Sequence, residues 1–248
     1  MRQSLIHEPL ALIPRVGGMA TMPSRHESLM QALPHILPQL DRLYLYLDQH
    51  TKVPIDLMSE PKIVAILPEG KKLGCDGKFM GLKRETQPCL YFCFDDDIIY
   101  PPDYVRRLTA TLKRLHFAVV VVVHGALFHK RIDSYAKSRS NIHFSRSLQV
   151  DALVDELGTG TLAFHSECIQ IDPEQWARPN LTDLMFMVEA IRQNVPRVCI
   201  RRDVGYLRAI AEKQPDSLYL KSLQDDTAET RLLQAINKAY PDAWCHAS

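Results

Sequence analysis

Short apolar runs recur along the chain and are separated by polar stretches. They cover residues 16–22, 43–48, 62–67, 91–94, 117–124, 162–165 and 197–201. Because continuous apolar runs of this length are typical of strands buried on both faces, we interpret them as strands of one sheet. The β-branched run at 117–124 has the composition expected near the centre of that sheet.

Helical patterns lie between and after these runs. Ser24 and Glu27 form a capping box, which predicts a helix beginning there. An amphipathic segment predicts a helix over 104–115, and further helices are predicted to begin around residue 183, capped from Asn180, and at Asp226. The alternation of strands and helices predicts an α/β fold with a mostly parallel central sheet flanked by helices.

The composition is that of an ordinary globular protein. The 248 residues are 46% hydrophobic and 24% charged, and the net charge is +1. A net charge this close to zero gives no electrostatic reason to expect nucleic acid as a partner. The length, with no internal repeat or long linker, predicts a single domain over 1–248.

The sequence carries no predicted membrane span or secretion signal. Its longest apolar run, 117–123, is too short to cross a bilayer, and residues 1–18 lack an uninterrupted apolar core and a cleavage site. Six cysteines occur without CxxC pairs, and Cys89, Cys93 and Cys199 lie in apolar runs, as expected of core residues in a reducing compartment. We therefore expect a cytoplasmic protein, and a local patch could still hold it at a membrane surface.

Three consecutive carboxylates, Asp95, Asp96 and Asp97, directly follow the apolar run 91–94. They emerge at the carboxyl end of a buried strand, the edge of an open α/β sheet where ligands bind. Adjacent acids repel one another unless a cation or hydrogen-bond donors compensate, and such oxygen ligands suit Mg²⁺ or Mn²⁺ carrying substrate phosphates. The alternative is a solvated turn that caps the next helix. Asp103 can cap that helix alone, so we favour the metal site.

The order of motifs resembles that of GT-A glycosyltransferases, in particular small bacterial enzymes similar to inverting family 2. The resemblance runs from about residue 16 to residue 208 and rests on the segment 20–25, Asp48, the segment 76–78, the acid triplet in the place of the family's DxD motif, the turn 158–160 and Asp183. No QxxRW-like motif or membrane helix follows, unlike in the processive polymerases of that family. The resemblance implies a GT-A (Rossmann-like) domain with a nucleotide-binding half at about 16–115 and an acceptor half at about 116–248.

The resemblance also implies which residues hold a nucleotide-sugar donor, for which UDP is the expected nucleotide. The nucleotide and its phosphates would contact Thr21, Pro23, Arg25, Asp48, Asp76, Lys78, Asp95 and Asp96, and the sugar would lie against Gly158, Thr159 and Gly160. The residues themselves leave alternatives open: a solvated surface charge for Arg25 or Lys78, a turn acid for Asp48 and a tight turn for the glycines.

The metal assignment follows from the same resemblance. Mn²⁺ or Mg²⁺ would be held by Asp95 and Asp97, which alternation along the strand places on one side, with Asp96 on the other. A histidine, His165 or His124, is a candidate further ligand. Hydrogen bonding within the core is the more usual role of a histidine at the end of a strand.

The acceptor side of the site rests on fewer residues. Asp183 occupies the place of the catalytic base in the resemblance, against the alternative that it complements the positive end of a helix. Trp176 and Tyr135 are candidates for stacking on an acceptor sugar by residue type alone. The polar stretch 129–150 predicts a long loop that could close over the donor as a lid.

The leading hypothesis is a metal-dependent inverting glycosyltransferase that moves a sugar from a nucleotide donor to a saccharide or lipid-linked acceptor in bacterial surface polysaccharide synthesis. A sugar nucleotidyltransferase would need a GxGxR-type loop after the first strand, which Gly17 and Gly18 do not supply. A dehalogenase-type phosphatase would carry its nucleophilic aspartate after the first strand, not the fourth. The non-enzymatic alternative is a GT-A-like subunit that binds nucleotide or glycan without turnover.

Overall fold

The apolar runs form the strands of one central sheet. The structure, a computed structural model, describes residues 13–176, 178–210 and 225–245. The strands of this part are β1 (Arg15–Thr21), β2 (Arg42–Leu47), β3 (Ile63–Ile66), β4 (Leu90–Phe94), β5 (Ile98–Ile99), β6 (Val120–Val122), β7 (Gly125–Phe128), β8 (Arg139–Ile142), β9 (Ala152–Leu153), β10 (Glu156–Leu157), β11 (Leu162–His165), β12 (Arg197–Cys199) and β13 (Arg208–Ala209). The α-helices are α1 (His26–Ile36), α2 (Ile55–Met58), α3 (Tyr104–Arg114), α4 (Thr182–Arg192) and α5 (Thr227–Ala239). The predicted lack of a leader over 1–18 concerns a segment that lies mostly outside the described residues.

The central sheet is mostly parallel, which confirms the predicted fold class. Its strand order within the described residues is β3-β2-β1-β4-β11-β6-β12-β9. β1 to β4 are joined by parallel pairings and β12 is parallel to β6, whereas β11 and β9 run antiparallel to their neighbours. The carboxyl ends of β1, β2, β4, β6 and β12 therefore meet at one edge, where sheets of this kind bind ligands. Two smaller sheets, β10-β7-β8 and β13-β5, flank the central one.

Strand β4 is buried on both faces, which explains its unbroken apolar sequence. Phe94 belongs to the cluster that includes α1 and α3, and Tyr91 and Cys93 belong to the cluster on the other face, which includes α4. Cys89 and Cys199 are also fully buried. The predicted core role of these three cysteines is confirmed.

The predicted capping box at Ser24 is wrong. The chain forms a 3₁₀ turn over Pro23–Arg25, and α1 begins after it without a side-chain cap. Proline at the first position of the turn starts the helical backbone early, so Ser24 lies inside the turn rather than before it. The Ser28 hydroxyl instead donates to the Arg25 carbonyl over 2.9 Å.

Two later capping residues bond to distant segments. The Asn180 side-chain oxygen accepts a hydrogen bond from the Cys75 amide over 2.9 Å, and α4 begins without a side-chain cap. Asp226 precedes α5 as predicted, but its carboxylate accepts hydrogen bonds from the Ser134 hydroxyl and the Ala136 amide. Both polar groups therefore fasten a helix start to another part of the chain.

Two predicted loops have regular structure instead. The segment 75–79 lies in a 3₁₀ helix, Gly74–Arg84, which packs directly on β2. Glycine at position 77 allows this close packing, because a Cβ atom there would lie 2.1 Å from the Tyr46 ring. The predicted loop 129–150 contains β8, which pairs with β7. The middle residues of β8 are exposed, and this exposure explains the polar sequence that suggested a loop.

The β-branched run at 117–124 forms a strand inside the sheet, as predicted, although β6 covers only three residues between β11 and β12. In the part of the chain that the structure describes, no helix combines the length and apolar character needed to cross a membrane.

Candidate active site

The carboxyl ends of the first strands bring several predicted residues to one edge of the sheet. Thr21 ends β1, Asp48 follows β2, and Asp95, Asp96 and Asp97 follow β4. β1 lies between β2 and β4, and its register pairs Met19 with both Leu45 and Phe94. The three strands therefore end side by side, and their polar residues form a single cluster.

Asp96 points into the protein and joins two strand ends. The Thr21 hydroxyl donates to its carboxylate over 2.6 Å, and Asp96 is only 8% exposed. Burial, helped by the charges of the neighbouring acids, raises the pKa of Asp96 to about 7 against the opposing hydrogen bond from Thr21. This geometry matches the interior role that alternation allowed, with Thr21 as the structural partner of Asp96.

Asp95 faces a buried lysine. The Lys78 ammonium donates to Asp95 Oδ1 over 2.5 Å, and the side chain of Lys78 is 4% exposed while that of Asp95 is 41% exposed. Burial by itself would lower the pKa of Lys78, but the charge and the hydrogen bond of Asp95, together with the nearby Cys75 and Cys93, outweigh burial and raise that pKa. The alternative that Lys78 is a solvated surface charge is therefore wrong.

Asp97 faces a second buried cation. The Arg25 guanidinium donates to Asp97 Oδ2 over 2.9 Å, and the two side chains are 9% and 30% exposed. Burial and the nearby charge of Asp95 raise the pKa of Asp97, and Arg25 partly opposes them. Both outer acids of the triplet thus remain partly open to solvent, and each is oriented from behind by a positive side chain.

The glycine turn before β11 packs against the acids. A methyl group on Gly160 would lie 1.8 Å from Asp95 Oδ2, so no larger residue fits there. The Tyr100 hydroxyl donates to the Gly160 carbonyl over 2.6 Å and accepts from the Asp95 amide over 2.8 Å. Tyr100 was not predicted as a site residue, because nothing in its spacing distinguishes it from other buried aromatic residues.

The same turn holds the predicted base. The amide and the hydroxyl of Thr159 donate to Asp183 Oδ1 over 2.8 and 2.6 Å. Burial raises the pKa of Asp183, and the two bonds from Thr159 partly oppose this rise. The first turn of α4 is thereby fixed to the glycine turn, and the structure brings Asp183 and Asp95 next to the same short segment.

Asp76 is hydrogen-bonded to the first residue of α4. It is 1% exposed, and its carboxylate accepts a hydrogen bond from the Thr182 hydroxyl over 2.6 Å. Burial raises the pKa of Asp76 to about 6. A side chain this enclosed positions the helix that carries Asp183, and it is not exposed to a ligand.

The two histidines lie at different ends of the sheet. His124 follows β6 at the edge that carries the acids, and its ring would lie 2.8 Å from a methyl group on Gly158. Burial, followed by the neighbouring His143, lowers the pKa of His124 to about 3, so its ring is neutral. Nδ1 of His124 is buried without a hydrogen-bond partner among the described residues.

His165 lies away from the cluster. It pairs with Leu90, five residues before Asp95, so the two side chains are separated by roughly 16 Å along the strand direction. The structure therefore does not bring His165 to the acids. The reason is that β11 is antiparallel to β4, which places the end of β11 at the opposite edge of the sheet.

The nucleoside side of the predicted site is more open. Asp48 is 8% exposed; its Oδ2 accepts a bond from the Gln49 side chain over 3.1 Å, while Oδ1 is buried without a hydrogen-bond partner among the described residues. Pro23 is exposed at the start of the adjoining 3₁₀ turn. An unsatisfied buried acceptor of this kind suits a ligand that donates a hydrogen bond.

Two predicted stacking residues are part of the core instead. Trp176 is 2% exposed and packs edge-on against Phe79, with ring centres 5.6 Å apart. Tyr135 is 8% exposed, and its hydroxyl donates to Glu156 over 2.7 Å. Neither ring is open to a sugar, because both lie in hydrophobic clusters that residue type alone could not reveal.

A buried ion pair beneath the site was also not predicted. Arg139 donates to Glu156 over 2.5 Å, and the two side chains are 9% and 5% exposed. Burial raises the pKa of Glu156 to about 7, Arg139 lowers it and Asp183 raises it. The charge of Asp183 therefore influences the protonation of Glu156 in this ion pair.

The carboxylates do not form a complete metal site by themselves. Among the described residues, no group of three or more histidine, cysteine, aspartate or glutamate side chains is placed to hold an ion. Asp95 and Asp97 offer two partly exposed carboxylates, so a bound cation would need further oxygen ligands from substrate or water.

Comparison with known proteins supports the fold. No model of a known protein family matches the chain, and no curated protein sequence matches it. Among solved structures, the chain is similar to GalNAc-T7 in a crystal structure with UDP, GalNAc and Mn²⁺, with a TM-score of 0.56 and 9% identity. The match covers 95% of this chain and 52% of that chain, so this chain spans about half the length of its structural neighbour. At this identity the likeness establishes a GT-A-like fold.

Proposed function

We propose that this protein is a nucleotide-sugar-dependent glycosyltransferase that uses Mn²⁺ or Mg²⁺. The observation that carries the proposal is that one turn, 158–160, contacts both Asp95 and Asp183. Asp95, one of two acids suited to a cation, and Asp183, an acid suited to accepting a proton, therefore both adjoin one short segment. The GT-A-like fold and the UDP and Mn²⁺ in its structural neighbour support the same class.

The chemistry of the outer acids fits a divalent cation. Asp95 and Asp97 carry hard oxygen donors and are partly exposed. Burial, and after it the charge of Asp95, raises the pKa of Asp97, so a bound cation would relieve this repulsion. When bound, the cation would offset the charge that develops on a diphosphate leaving group. We assign Lys78 and Arg25 to orienting these two carboxylates, since each contacts its acid from a buried position.

The nucleoside would lie at the ends of β1 and β2. The unpaired Asp48 Oδ1 can accept a hydrogen bond from a base or a ribose hydroxyl, and Pro23 lies exposed beside it. Thr21, Asp96 and Asp76 are already hydrogen-bonded within the protein, so we assign them to supporting the nucleoside site and not to contacting the nucleoside. UDP is the nucleotide to test first.

Asp183 would act as the base of an inverting transfer. Its Oδ1 is held by Thr159, and no residue in the described part of the chain hydrogen-bonds to its Oδ2, which leaves that oxygen for an acceptor hydroxyl. A raised pKa makes a carboxylate a stronger proton acceptor near neutral pH. Gly158, Thr159 and Gly160 would present backbone to the donor sugar beside it.

The proposal extends to the acceptor by motif order alone. A saccharide or lipid-linked acceptor, bacterial surface polysaccharide synthesis and a cytoplasmic location are what the resemblance to family 2 implies. The segments 129–138 and 143–150, on either side of β8, are the parts of the predicted lid that lie outside helices and strands.

The test combines ligand binding with turnover. Melting temperature would be measured with a panel of nucleotides, with and without Mn²⁺, and nucleotide release from matching nucleotide sugars would be followed by chromatography. A ligand at 100 times its Kd stabilises by about 2.7 kcal/mol, which is easily measured. We expect a Mn²⁺-dependent shift with UDP that Asp97→Asn abolishes, together with slow release of UDP from a UDP-sugar.

Two results would contradict the proposal in different ways. A Mn²⁺-dependent UDP shift without UDP release from any donor would indicate a binding subunit. The lack of any metal-dependent shift with every nucleotide would remove the donor site altogether.

A further inference from the structure

A groove beside α3 carries an excess of arginine. It has a volume of about 640 Å³ and lies between α3 and the segments around β9 and β12. Arg107 and Arg114 line it from α3, and Arg201, Val150 and Asp151 line it from the other wall. Three guanidinium groups thus face one carboxylate. The groove does not include the acid triplet or Asp183.

The arginines are held in place, and of the three only Arg114 is paired with a carboxylate of the described residues, Asp151. Arg107 donates to the Arg201 carbonyl over 2.9 Å and stacks over the Tyr206 ring at 4.6 Å. Asp151 accepts from the Arg114 guanidinium and from the Arg201 amide, the latter over 2.7 Å. The Arg114 side chain is 56% exposed and Arg201 is exposed, so both can reach a ligand.

Neighbouring charges leave the face basic. α3 also exposes Arg106 and Lys113. Asp103 pairs with Arg106 over 3.5 Å, and Asp203 is exposed in the turn after Arg201. The five positive groups outnumber these three acids, counting Asp151, so the face carries a local positive excess on a protein whose net charge is only +1.

Exposed aliphatic side chains accompany the arginines. Val150, in the groove wall, is 69% exposed, and Leu153, at the edge of the sheet, is 56% exposed. Val204, in the turn after Arg201, is 76% exposed. A site for a soluble anion needs no such side chains, whereas a protein face that lies on a bilayer combines basic groups with aliphatic groups that enter the headgroup layer.

We propose that this face binds the surface of an anionic phospholipid membrane. The arginine forks would pair with headgroup phosphates, which guanidinium groups recognise in two-point contacts. Val150, Leu153 and Val204 would enter the boundary between headgroups and acyl chains. Membrane attachment does not depend on the proposed glycosyl transfer and can be measured without it.

The test is co-sedimentation with vesicles. Wild type would be compared on phosphatidylcholine vesicles and on vesicles that also contain phosphatidylglycerol, alongside Arg107→Gln/Arg114→Gln/Arg201→Gln. A basic residue near such a surface strengthens binding roughly five-fold, so the triple variant should lose about 100-fold in partition to the anionic vesicles. The matched control changes three exposed arginines elsewhere, Arg84, Arg192 and Arg231, to Gln, and should bind nearly as wild type.

Further arms separate the possible outcomes. Val150→Ser/Leu153→Ser keeps the charge of the face but removes its aliphatic contacts, so it should bind the anionic vesicles more weakly than wild type. Added salt should also weaken binding of wild type, because salt screens the attraction between arginines and headgroups. If Arg107→Gln disturbs folding, as seen in the melting curve, Arg114→Gln/Arg201→Gln tests the same surface with exposed residues. Equal binding to both vesicle types, equal loss in the arginine control, or binding of inorganic pyrophosphate without vesicle binding would each overturn the proposal.

Discussion

Two groups of carboxylates in the candidate site are held by opposite chemistry. At the end of β4, Asp95 and Asp97 are contacted by the cations Lys78 and Arg25. Near the start of α4, Asp183 and Asp76 are contacted by threonine donors, at 2.6 to 2.8 Å. A cation favours the ionised carboxylate more than a hydroxyl does, although at Asp97 burial and the charge of Asp95 still outweigh Arg25.

The difference separates two tasks within one site. The acids of β4 are backed by positive charge and keep partly exposed oxygens, which suits binding of a cation. The acids near α4 have pKa values raised by burial, which suits acceptance of a proton by Asp183. Aspartate side chains are therefore suited to cation binding where lysine or arginine contacts them, and to proton transfer where threonine does.

Replacement of the base gives the largest expected effect. Asp183→Asn keeps the size of the side chain and removes its ability to take a proton, so sugar transfer should fall by about 10²- to 10⁴-fold. The Mn²⁺-dependent melting shift with UDP should persist, because the acids of β4 are untouched. Glu189→Gln on the same helix is the matched control and should keep nearly full activity. Loss of the UDP shift in Asp183→Asn would contradict the separation of tasks.

The threonine-held acids also predict how stability depends on pH. The pKa of Asp76 is raised from 3.8 to about 6, so the folded protein favours the protonated form and this contribution is lost as pH rises through that interval. By pH 8 the loss is roughly 3 kcal/mol. Asp76→Asn cannot ionise, so its stability relative to wild type should rise between pH 4 and pH 8 in urea unfolding. A constant difference across that range would mean that Asp76 is not titrating as its burial implies.

The turn 158–160, which contacts both groups of acids, should not tolerate a side chain at Gly160. The methyl group of Gly160→Ala would overlap Asp95 Oδ2, and such overpacking costs about 1–3 kcal/mol. Displacing Asp95 should also abolish the melting shift with UDP and Mn²⁺. Gly70→Ala is the control: nothing lies within 4 Å of its added methyl group, so its cost comes from a φ of +77° alone and ligand binding should survive.

The sequence was sufficient for the features that local pattern controls. The apolar run before Asp95 predicted a buried strand, and alternation predicted that Asp96 would point away from its neighbours; the structure agrees with both. The resemblance in motif order led to Asp183 and to the turn 158–160, which lie together. Parallel strands end at the same edge of a sheet, so the polar residues that follow β1, β2 and β4 were expected to lie together.

The sequence was insufficient where position depends on distant segments. His165 lies at the wrong edge because β11 runs antiparallel, a direction that its apolar pattern does not encode. Trp176 and Tyr135 are buried by elements far along the chain, so residue type suggested an exposed ring. The lysine partner of Asp95 was likewise invisible, since Lys78 precedes it by 17 residues on a different element.

That lysine gives the smallest of the expected effects and the most direct test of the cation-held group. Lys78→Met keeps an apolar stem of similar length but removes the charge that orients Asp95, whose carboxylate is 41% exposed and can recruit water instead. Because solvent screens this pair, we expect about ten-fold weaker binding of UDP with Mn²⁺, measured by calorimetry, rather than complete loss. Lys83→Met, on the same 3₁₀ helix with a side chain 36% exposed, is the control and should bind as wild type. Unchanged or tighter binding by Lys78→Met would show that Lys78 competes with the cation instead of preparing its site, and the contrast between cation-held and threonine-held acids would then need another explanation.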